Sequence, residues 1–500
     1  MSPTPAILAL DQGTTGSTAL VISDDGRILG RSYSEFSQHF PKAGWVEHDA
    51  EEIWRVTVQV AREALEGARN REPHHIEGIG ITNQRETVVV WDRATGDPVH
   101  RAIVWQDRRS APICRELKEG GHEEEIRRRT GLLLDPYFSG TKLTWLFREQ
   151  PELRDRAEAG ELAFGTVDSW LIHRLTGGGV HATDHTNASR TLLYDLSRGE
   201  WEEELLDILE VPAEILPAIR TSAGDFGMAV GDLLGIEAPI AGVAGDQQAA
   251  LFGQGCWKAG LAKNTYGTGA FLLLHTGDEA VTSEHGLLTT VACGPRGERT
   301  FALEGSIFIA GAAIQWLRDS LEILPTAPDS EEMARSLEGN DGVYFVPAFV
   351  GLGAPHWDPD VRGAILGLTR GTSRSHLVRA ALEAMAYGTV EVLRAQEGDS
   401  GVPARELRVD GGAADNDWLI QFQADLLGIP VRRPALVETT SLGAAGLAGI
   451  RTGLWSGGQE FLEAQGPSRV FSPRMGSGER RTLQEGWERA VEAARSFRLH

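Results

Sequence analysis

Four short stretches carry the residues best suited to chemistry. The first is Asp11-Gln12-Gly13-Thr14-Thr15-Gly16-Ser17, with apolar runs at Ile7–Leu10 and Ala19–Ile22 on either side. Glycine lets backbone N–H groups converge on an anion, hydroxyls add donors, and Asp11 suits a hydrated divalent cation. That describes a phosphate-and-metal turn without a lysine; an ordinary tight turn with local hydroxyl bonds is the plainer alternative. Neither the Gly-Lys-Ser/Thr of a P-loop nor the dinucleotide fingerprint fits its spacing. The second stretch, Asn83-Gln84-Arg85-Glu86, sets a charged pair between apolar runs, as a solvated turn or as the wall of a site. The burial pattern is expected to break there. The third is Asp246, between an apolar strand and an Ala-rich helix, where it also fits an N-cap. The fourth, Gly267-Thr268-Gly269, repeats the plan of the first in the second half of the chain.

These stretches need elements to hold them. The apolar runs around residues 6–26 and 261–277 read as two β-hairpins. Two copies of a phosphate-type hairpin suggest two similar domains facing one cleft. The boundary is expected near Phe252–Lys258, giving domains 1–253 and 254–500. Asp49 is the expected N-cap of a helix with Glu51 and Glu52 in its first turn, and Asp168 is expected at another cap. Residues 113–129 read as one charged, solvated helix. A long helix over about 375–397 starts from Ser373 or Ser375. LRVDGGAADNDWL reads as strand, Gly-Gly turn and helix, and such strand ends are where α/β folds bind ligands. SLGAAGLAGIRTGLW is expected to pack closely on a neighbour. The tail from about 459 reads as surface, with a last helix near 481–497. Strands alternating with helices and hairpins make the fold class α/β.

Composition narrows the function. Five hundred residues exceed one ordinary core. A formal charge of -23 disfavours nucleic acid or an anionic membrane surface as partner. Cys114, Cys256 and Cys293 form no CxxC and suit a reducing compartment. No segment is apolar enough for membrane insertion and no signal is evident, so a cytoplasmic protein is expected.

With the pieces placed, the chain resembles the glycerol kinase branch of the FGGY carbohydrate kinases, in the sugar kinase/Hsp70/actin superfamily. The resemblance runs over almost the whole chain. It rests on ALDQGTTGS, GWVEHD, GITNQRET, AIVWQDRR, DPYFSGTKLTWL, GTVDSWLI, TDHTNASRT, AGDQQAALFGQ, KNTYGTGAF, AGAAIQWLRD, PAFVGLGAPHWD, RGAILGLTRG and RVDGGAADNDW, in the family's order. YFSGTKLTWLFRE and GAILGLTRGTSRSHLVRAALE look like the family's two signatures.

The resemblance implies two ribonuclease-H-like domains (the actin/Hsp70/sugar-kinase type) around a central cleft. It implies transfer of the γ-phosphoryl of ATP to glycerol, giving sn-glycerol 3-phosphate, the first step of glycerol catabolism. By that analogy Arg85 and Glu86 take adjacent hydroxyls, Asp246 accepts the proton of the attacking hydroxyl, and Gln247 helps orient it. Trp105 and Phe271 present ring faces to the carbon chain, and Tyr137 adds a phenol. Thr14, Thr15, Gly16 and Thr268 look like phosphate contacts; Gly311, Gln315, Gly412, Ala413 and Asn416 look like adenosine and phosphate contacts. Asp11 would hold Mg²⁺ through water, with Asp246 near it. A homodimer or homotetramer is implied.

Two departures from the family stand out. Thr18 occupies a position that carries Arg in a well-studied branch. The stretch GDLLGIEAP, residues 231–239, holds no Lys or Arg where some bacterial members bind fructose 1,6-bisphosphate, so insensitivity to that ligand is expected. A pentulose kinase is disfavoured by the Arg-Glu pair after Gln84. A nucleotide-only switch on the same scaffold is disfavoured by the polyol-type residues, although fold alone does not exclude it.

Overall fold

A computed structural model describes residues 3–497. Two mixed sheets organise it. The first has five strands: β1 (Thr4–Gln12), β2 (Gly16–Ser23), β3 (Ile28–Glu35), β4 (His74–Asn83) and β5 (Ile240–Gly245), in the order β5-β4-β1-β2-β3. The second has seven: β6 (Leu261–Tyr266), β7 (Ala270–Gly277), β8 (Leu288–Cys293), β9 (Arg299–Ile307), β10 (Glu406–Asp410), β11 (Val431–Arg433) and β12 (Arg469–Phe471), in the order β8-β9-β7-β6-β10-β11-β12.

The expected echo extends beyond the hairpins. In the first sheet an antiparallel run β3-β2-β1 continues into parallel β4 and β5. In the second, antiparallel β9-β7-β6 continues into parallel β10 and β11. Each hairpin turn therefore stands beside the carboxyl end of a parallel neighbour. A mixed sheet leaves its turns and strand ends at one edge, where ligands bind.

Local sequence explains the framing helices. In α1 (Ala50–Arg71), Asp49 caps through its carboxylate, accepting from the N–H groups of Glu51 and Glu52 at 2.9 and 3.2 Å. Its apolar stripe, Ile53, Val60, Ala64 and Leu65, covers one face of the first sheet. Further helices are α2 (Asp246–Gly253), α3 (Gly311–Asp319), α4 (Arg374–Ser400), α5 (Asp417–Leu427), α6 (Thr439–Thr452) and α7 (Ser477–Ser496). Ser373 is the cap of α4; its backbone N–H donates to His376 Nδ1 at 3.1 Å.

The small-residue helix α6 packs as closely as its composition suggests. A Cβ on Gly443 would stand 1.8 Å from the Ala249 carbonyl oxygen, and one on Gly80 would stand 2.2 Å from that of Ala444. Only glycine permits backbone contact this tight. As a result α6, from late in the chain, seals the second face of the first sheet: Leu442, Ala445 and Ala448 join Ile7, Ala9, Leu20 and Ile22 in one core.

Several expectations need correction. Residues 113–129 form two helices, Ala111–Glu119 and Glu123–Thr130, because Gly120-Gly121 interrupts them. Asp168 is not a cap. Thr166 holds that position, and Asp168 is the second residue of helix Val167–Leu175, buried, accepting from the hydroxyls of Thr166 and Thr183 at 2.5 and 2.7 Å. The tail is more than surface, since β12 extends the second sheet and Trp487, Ala490, Val491 and Ala494 of α7 are buried. Cys114, Cys256 and Cys293 are free and buried. Among the described residues no helix is long and apolar enough to cross a membrane.

Candidate active site

The turn at 83–86 departs furthest from expectation. The burial pattern does not break there: Asn83, Gln84, Arg85 and Glu86 are all buried, Arg85 at 3 % exposure and Glu86 at 1 %. Charges taken out of water must be paired. Each nitrogen of Arg85 meets a carboxylate: Nη1 and Nη2 donate to Glu304 at 2.6 and 3.1 Å, and Nε lies 3.1 Å from Asp246 Oδ1. Arg190, fully buried, donates from Nε to Glu86 Oε1 at 2.6 Å and from Nη2 to Glu304 Oε1 at 3.1 Å. Burial pushes the Glu304 carboxyl up, but Arg190 and Arg85 more than offset this and hold it at about 2. Glu86 has φ 64°, the left-handed region a non-glycine residue rarely adopts, and Ser139 Oγ donates to its carbonyl at 3.0 Å.

Asp246 opens α2. Gly245 takes the cap position, and Asp246 Oδ1 accepts the N–H of Gln247 at 2.7 Å. The N-cap alternative for Asp246 is therefore wrong by one residue. Its side chain is 32 % exposed, so a carboxylate beside a buried guanidinium is still open to solvent. Gln247 Oε1 accepts from Lys263 Nζ at 2.5 Å, and Lys263 also donates to Thr265 Oγ1 at 2.8 Å. This Lys is buried, and burial lowers its pKa.

Aromatic side chains complete the wall. Trp105 Nε1 donates to Thr14 Oγ1 at 2.9 Å, tying the first hairpin turn to this site. The Trp105 ring meets Tyr137 edge-on at 5.5 Å, and the Arg190 guanidinium lies 5.6 Å from the Tyr137 ring centroid. Burial, then the Glu86 charge, pushes the Tyr137 phenol up, so it is a neutral hydroxyl at working pH. Phe271, half-buried on β7, pairs in register with Thr265 and Ser306 on the neighbouring strands.

The two hairpin turns lie at the edge of this wall. Gly13 N–H donates to the Gly16 carbonyl at 2.9 Å, which closes the first turn and leaves Thr15 exposed. Asp11, at the end of β1, accepts from Ser441 Oγ at 3.2 Å. Burial and then the charge of Asp246 raise its carboxyl to about 7. In the second hairpin Thr268 is exposed, and its carbonyl accepts from the N–H groups of Ala310 and Ala312 at 2.9 and 3.0 Å. Gly311 N–H donates to the Gly267 carbonyl at 3.0 Å, and a Cβ there would come within 2.6 Å of the same oxygen. Gln315 is exposed one turn along α3.

Gly411 has φ 83° and no room for a side chain, since a Cβ would meet the Tyr266 carbonyl oxygen at 2.3 Å. That brings exposed Gly412 and half-buried Ala413 alongside β6. Asn416 caps α5 through Oδ1, accepting from Leu419 N–H at 2.9 Å, and Nδ2 donates to Ser330 Oγ at 3.2 Å. The side chain of Asn416 is thus already engaged.

The structure joins Arg85, Glu86, Asp246, Gln247, Trp105, Tyr137 and Thr14 in one network of hydrogen bonds, ion pairs and ring contacts, and sets Thr268 and Gly311 together in a second cluster. Sequence reasoning misses Glu304, Arg190, Lys263 and Gln248, the last of which accepts from Arg85 Nη1 at 3.3 Å. Of these Glu304 carries a signal, as a charged residue inside the apolar and small-residue run FALEGSIF, though without any indication of its partner.

A buried run of alternating charges, a partly exposed aspartate and two glycine-threonine turns suit binding of a small hydroxylated molecule and a phosphate chain. Residues 6–253 match the model of the FGGY family of carbohydrate kinases, N-terminal domain, and residues 262–452 match its C-terminal domain. The chain belongs to this family, whose members are carbohydrate kinases. It is 55% identical to a glycerol kinase of Deinococcus radiodurans, over 99% of each chain, and 54% identical to one of Petrotoga mobilis, over 98% of each. The crystal structure of Plasmodium falciparum glycerol kinase with ADP is similar at a TM-score of 0.94 and 35% identity, over 98% of each chain.

Proposed function

We propose that this chain phosphorylates glycerol with ATP, giving sn-glycerol 3-phosphate, in the cytoplasm and as a homodimer or homotetramer. The observation that carries the reading is the 3.1 Å contact between buried Arg85 Nε and partly exposed Asp246 Oδ1. It holds the carboxylate read as the proton acceptor against the guanidinium read as the hydroxyl donor. The similarity to the two bacterial glycerol kinases supports glycerol over other polyols.

In this reading Arg85 donates to one hydroxyl, Glu86 accepts from its neighbour, and Trp105, Tyr137 and Phe271 enclose the carbon chain. Asp246 Oδ takes the proton of the attacking hydroxyl as its oxygen bonds to phosphorus, and Gln247 orients that hydroxyl. Thr14, Thr15, Gly16 and Thr268 hold the phosphates. Gly311, Gln315, Gly412, Ala413 and Asn416 hold the rest of the nucleotide, with Asn416 contributing backbone more readily than its engaged side chain. Phosphoryl transfer asks chiefly for alignment and charge neutralisation, which two lobes around a cleft supply.

Mg²⁺ fits the residues present. Burial and the charge of Asp246 together raise the Asp11 carboxyl to about 7, and a divalent cation would relieve that repulsion. Among the described residues no cluster of three or more His, Cys, Asp or Glu exists to cage a metal. Water and phosphate oxygens would therefore complete the shell, as is usual for Mg²⁺. When bound, the ion would neutralise charge on the phosphates.

The test is ADP formation with a panel of acceptors: glycerol, erythritol, xylulose, gluconate and none. Glycerol alone should stimulate strongly. Equal or greater stimulation by xylulose or gluconate would reassign the substrate.

A further inference from the structure

Glu304 is the pivot of the buried charge network, yet it belongs to the opposite lobe from the residues it holds. It lies on β9, fully buried, opposite Leu273 on β7, which in turn lies opposite Lys263 on β6. Directly paired residues share a sheet face, so Lys263, Leu273 and Glu304 all point to the side where Arg85 arrives from the first lobe. Glu304 occupies both terminal nitrogens of Arg85, at 2.6 and 3.1 Å, and accepts from Arg190 Nη2 at 3.1 Å. Arg190 in turn takes Oε1 of Glu86.

This arrangement limits what the site offers a ligand. A free guanidinium fork binds a carboxylate with two parallel N–H groups. Here the end-on fork is spent on Glu304, Nη1 also reaches Gln248 at 3.3 Å and Nε lies 3.1 Å from Asp246, which leaves a ligand the second N–H of Nη2, while Glu86 offers the oxygen that Arg190 does not take. One donor and one acceptor match two alcohol groups. The three cations Arg85, Arg190 and Lys263 are matched in number by Glu86, Glu304 and Asp246, so the site holds no surplus positive charge. An anionic ligand finds neither a surplus cation nor a free end-on fork.

Resting on the reading of a glycerol site, we propose that Glu304 is a positioning residue that determines specificity: by occupying the Arg85 fork across the lobes it selects neutral polyols and excludes three-carbon carboxylates. Glycerate, in which a carboxylate replaces one hydroxymethyl group of glycerol, is the natural probe.

The experiment compares the full chain with its Glu304→Gln variant in steady-state glycerol phosphorylation, with glycerate as a competing ligand. The variant should raise KM for glycerol about tenfold or more, the scale of one charged hydrogen bond, and leave KM for ATP within about threefold. Its inhibition constant for glycerate should fall by about tenfold or more, because the fork is released and one negative charge is gone. A merely structural role produces no gain in affinity for an anion. An unchanged KM for glycerol, or glycerate binding no tighter than in the parent, overturns the proposal. If Glu304→Gln does not fold, Glu304→Asp replaces it: the charge stays but one methylene of reach is lost. It should raise KM for glycerol several-fold with glycerate still excluded, and an unchanged KM overturns the proposal. Absence of glycerol phosphorylation by the parent chain refutes the functional reading itself, which is a separate result.

Discussion

Arg85 Nε and Asp246 Oδ1 stand 3.1 Å apart, one on a buried side chain and the other on a partly exposed one. In the proposed reading, the guanidinium keeps the carboxylate close to where the hydroxyl proton goes. It also means that the two residues cannot be varied independently, since contacting residues couple.

Arg85→Ala is expected to weaken glycerol binding by about 1.5–3 kcal/mol, the loss of a charged donor to a hydroxyl, with ATP binding far less affected. It also leaves buried Glu304 with Arg190 alone as its arginine partner, and breaking a buried pair costs about 3–5 kcal/mol of stability. Thermal unfolding must be measured beside titrations of both ligands. Equal losses for glycerol and ATP would place the effect in the fold or in lobe closure instead.

Asp11 carries a pH dependence. Its carboxyl is raised in the fold to about 7 from an ordinary 3.8, so the folded state binds more protons than the unfolded state between these values. The ligand-free protein therefore loses stability from Asp11 as pH rises from about 4 to about 7. Asp11→Asn removes that loss. It should stabilise the ligand-free chain at pH 8 by up to about 4 kcal/mol, with the gain fading as pH falls from about 7 to about 4. Mg²⁺ with nucleotide should raise Tm at pH 8 more in the parent than in the variant, and the variant should lose most turnover. A variant no more stable at pH 8 would contradict this role of Asp11.

Thr18 pairs directly with Asp11 across β1 and β2, so both side chains lie on one face beside the first turn. Thr18→Arg should bring a guanidinium next to Asp11 and the phosphates, tightening ATP modestly and lowering the Asp11 carboxyl from about 7. Titration of ATP and the pH profile of Tm both report it. An unchanged or weaker affinity would show that another cation already fills the place.

Residues 231–239 form a one-turn helix, Gly231–Leu234, closed by Gly235 in the left-handed region. The stretch has no cation of its own, but α1 lays two arginines against it. Arg62 donates to the carbonyls of Leu233 and Asp232 at 2.8 and 3.3 Å, and Arg69 to that of Gly235 at 3.4 Å. These nitrogens are engaged with backbone, and Asp232 and Glu237 add negative charge, so insensitivity to fructose 1,6-bisphosphate is expected. Initial rates at low enzyme concentration, over tenfold steps of the bisphosphate, test it. A midpoint below about 1 mM would require about 4 kcal/mol of binding that this surface does not offer.

Features encoded locally are legible in the sequence itself. The two hairpins announce themselves by glycine and hydroxyl turns between apolar runs, and the caps Asp49 and Ser373 by one side chain serving nearby N–H groups. Features set by distant partners are not. Nothing near Arg85 shows that Glu304 will neutralise it from another lobe, so a buried turn reads like a solvated one. Asp168 and Asp246 resemble caps because strand-to-helix junctions favour acids, yet Thr166 and Gly245 hold those positions. Likewise β12 is a three-residue edge strand in a charged tail, and its pairing with β11 has no local signature.

Asp246→Asn tests the central claim most directly. Gly245, not Asp246, holds the cap, and the amide keeps an oxygen for Arg85 and for the Gln247 N–H, so Tm should stay near that of the parent. The amide cannot take up the hydroxyl proton, and loss of a general base costs about 10²–10⁴-fold in rate. The kcat for glycerol phosphorylation is expected to fall by that factor while glycerol still binds. A folded variant that keeps more than about a tenth of parental kcat, a loss far smaller than general-base removal brings, would contradict the assignment of Asp246 as the base.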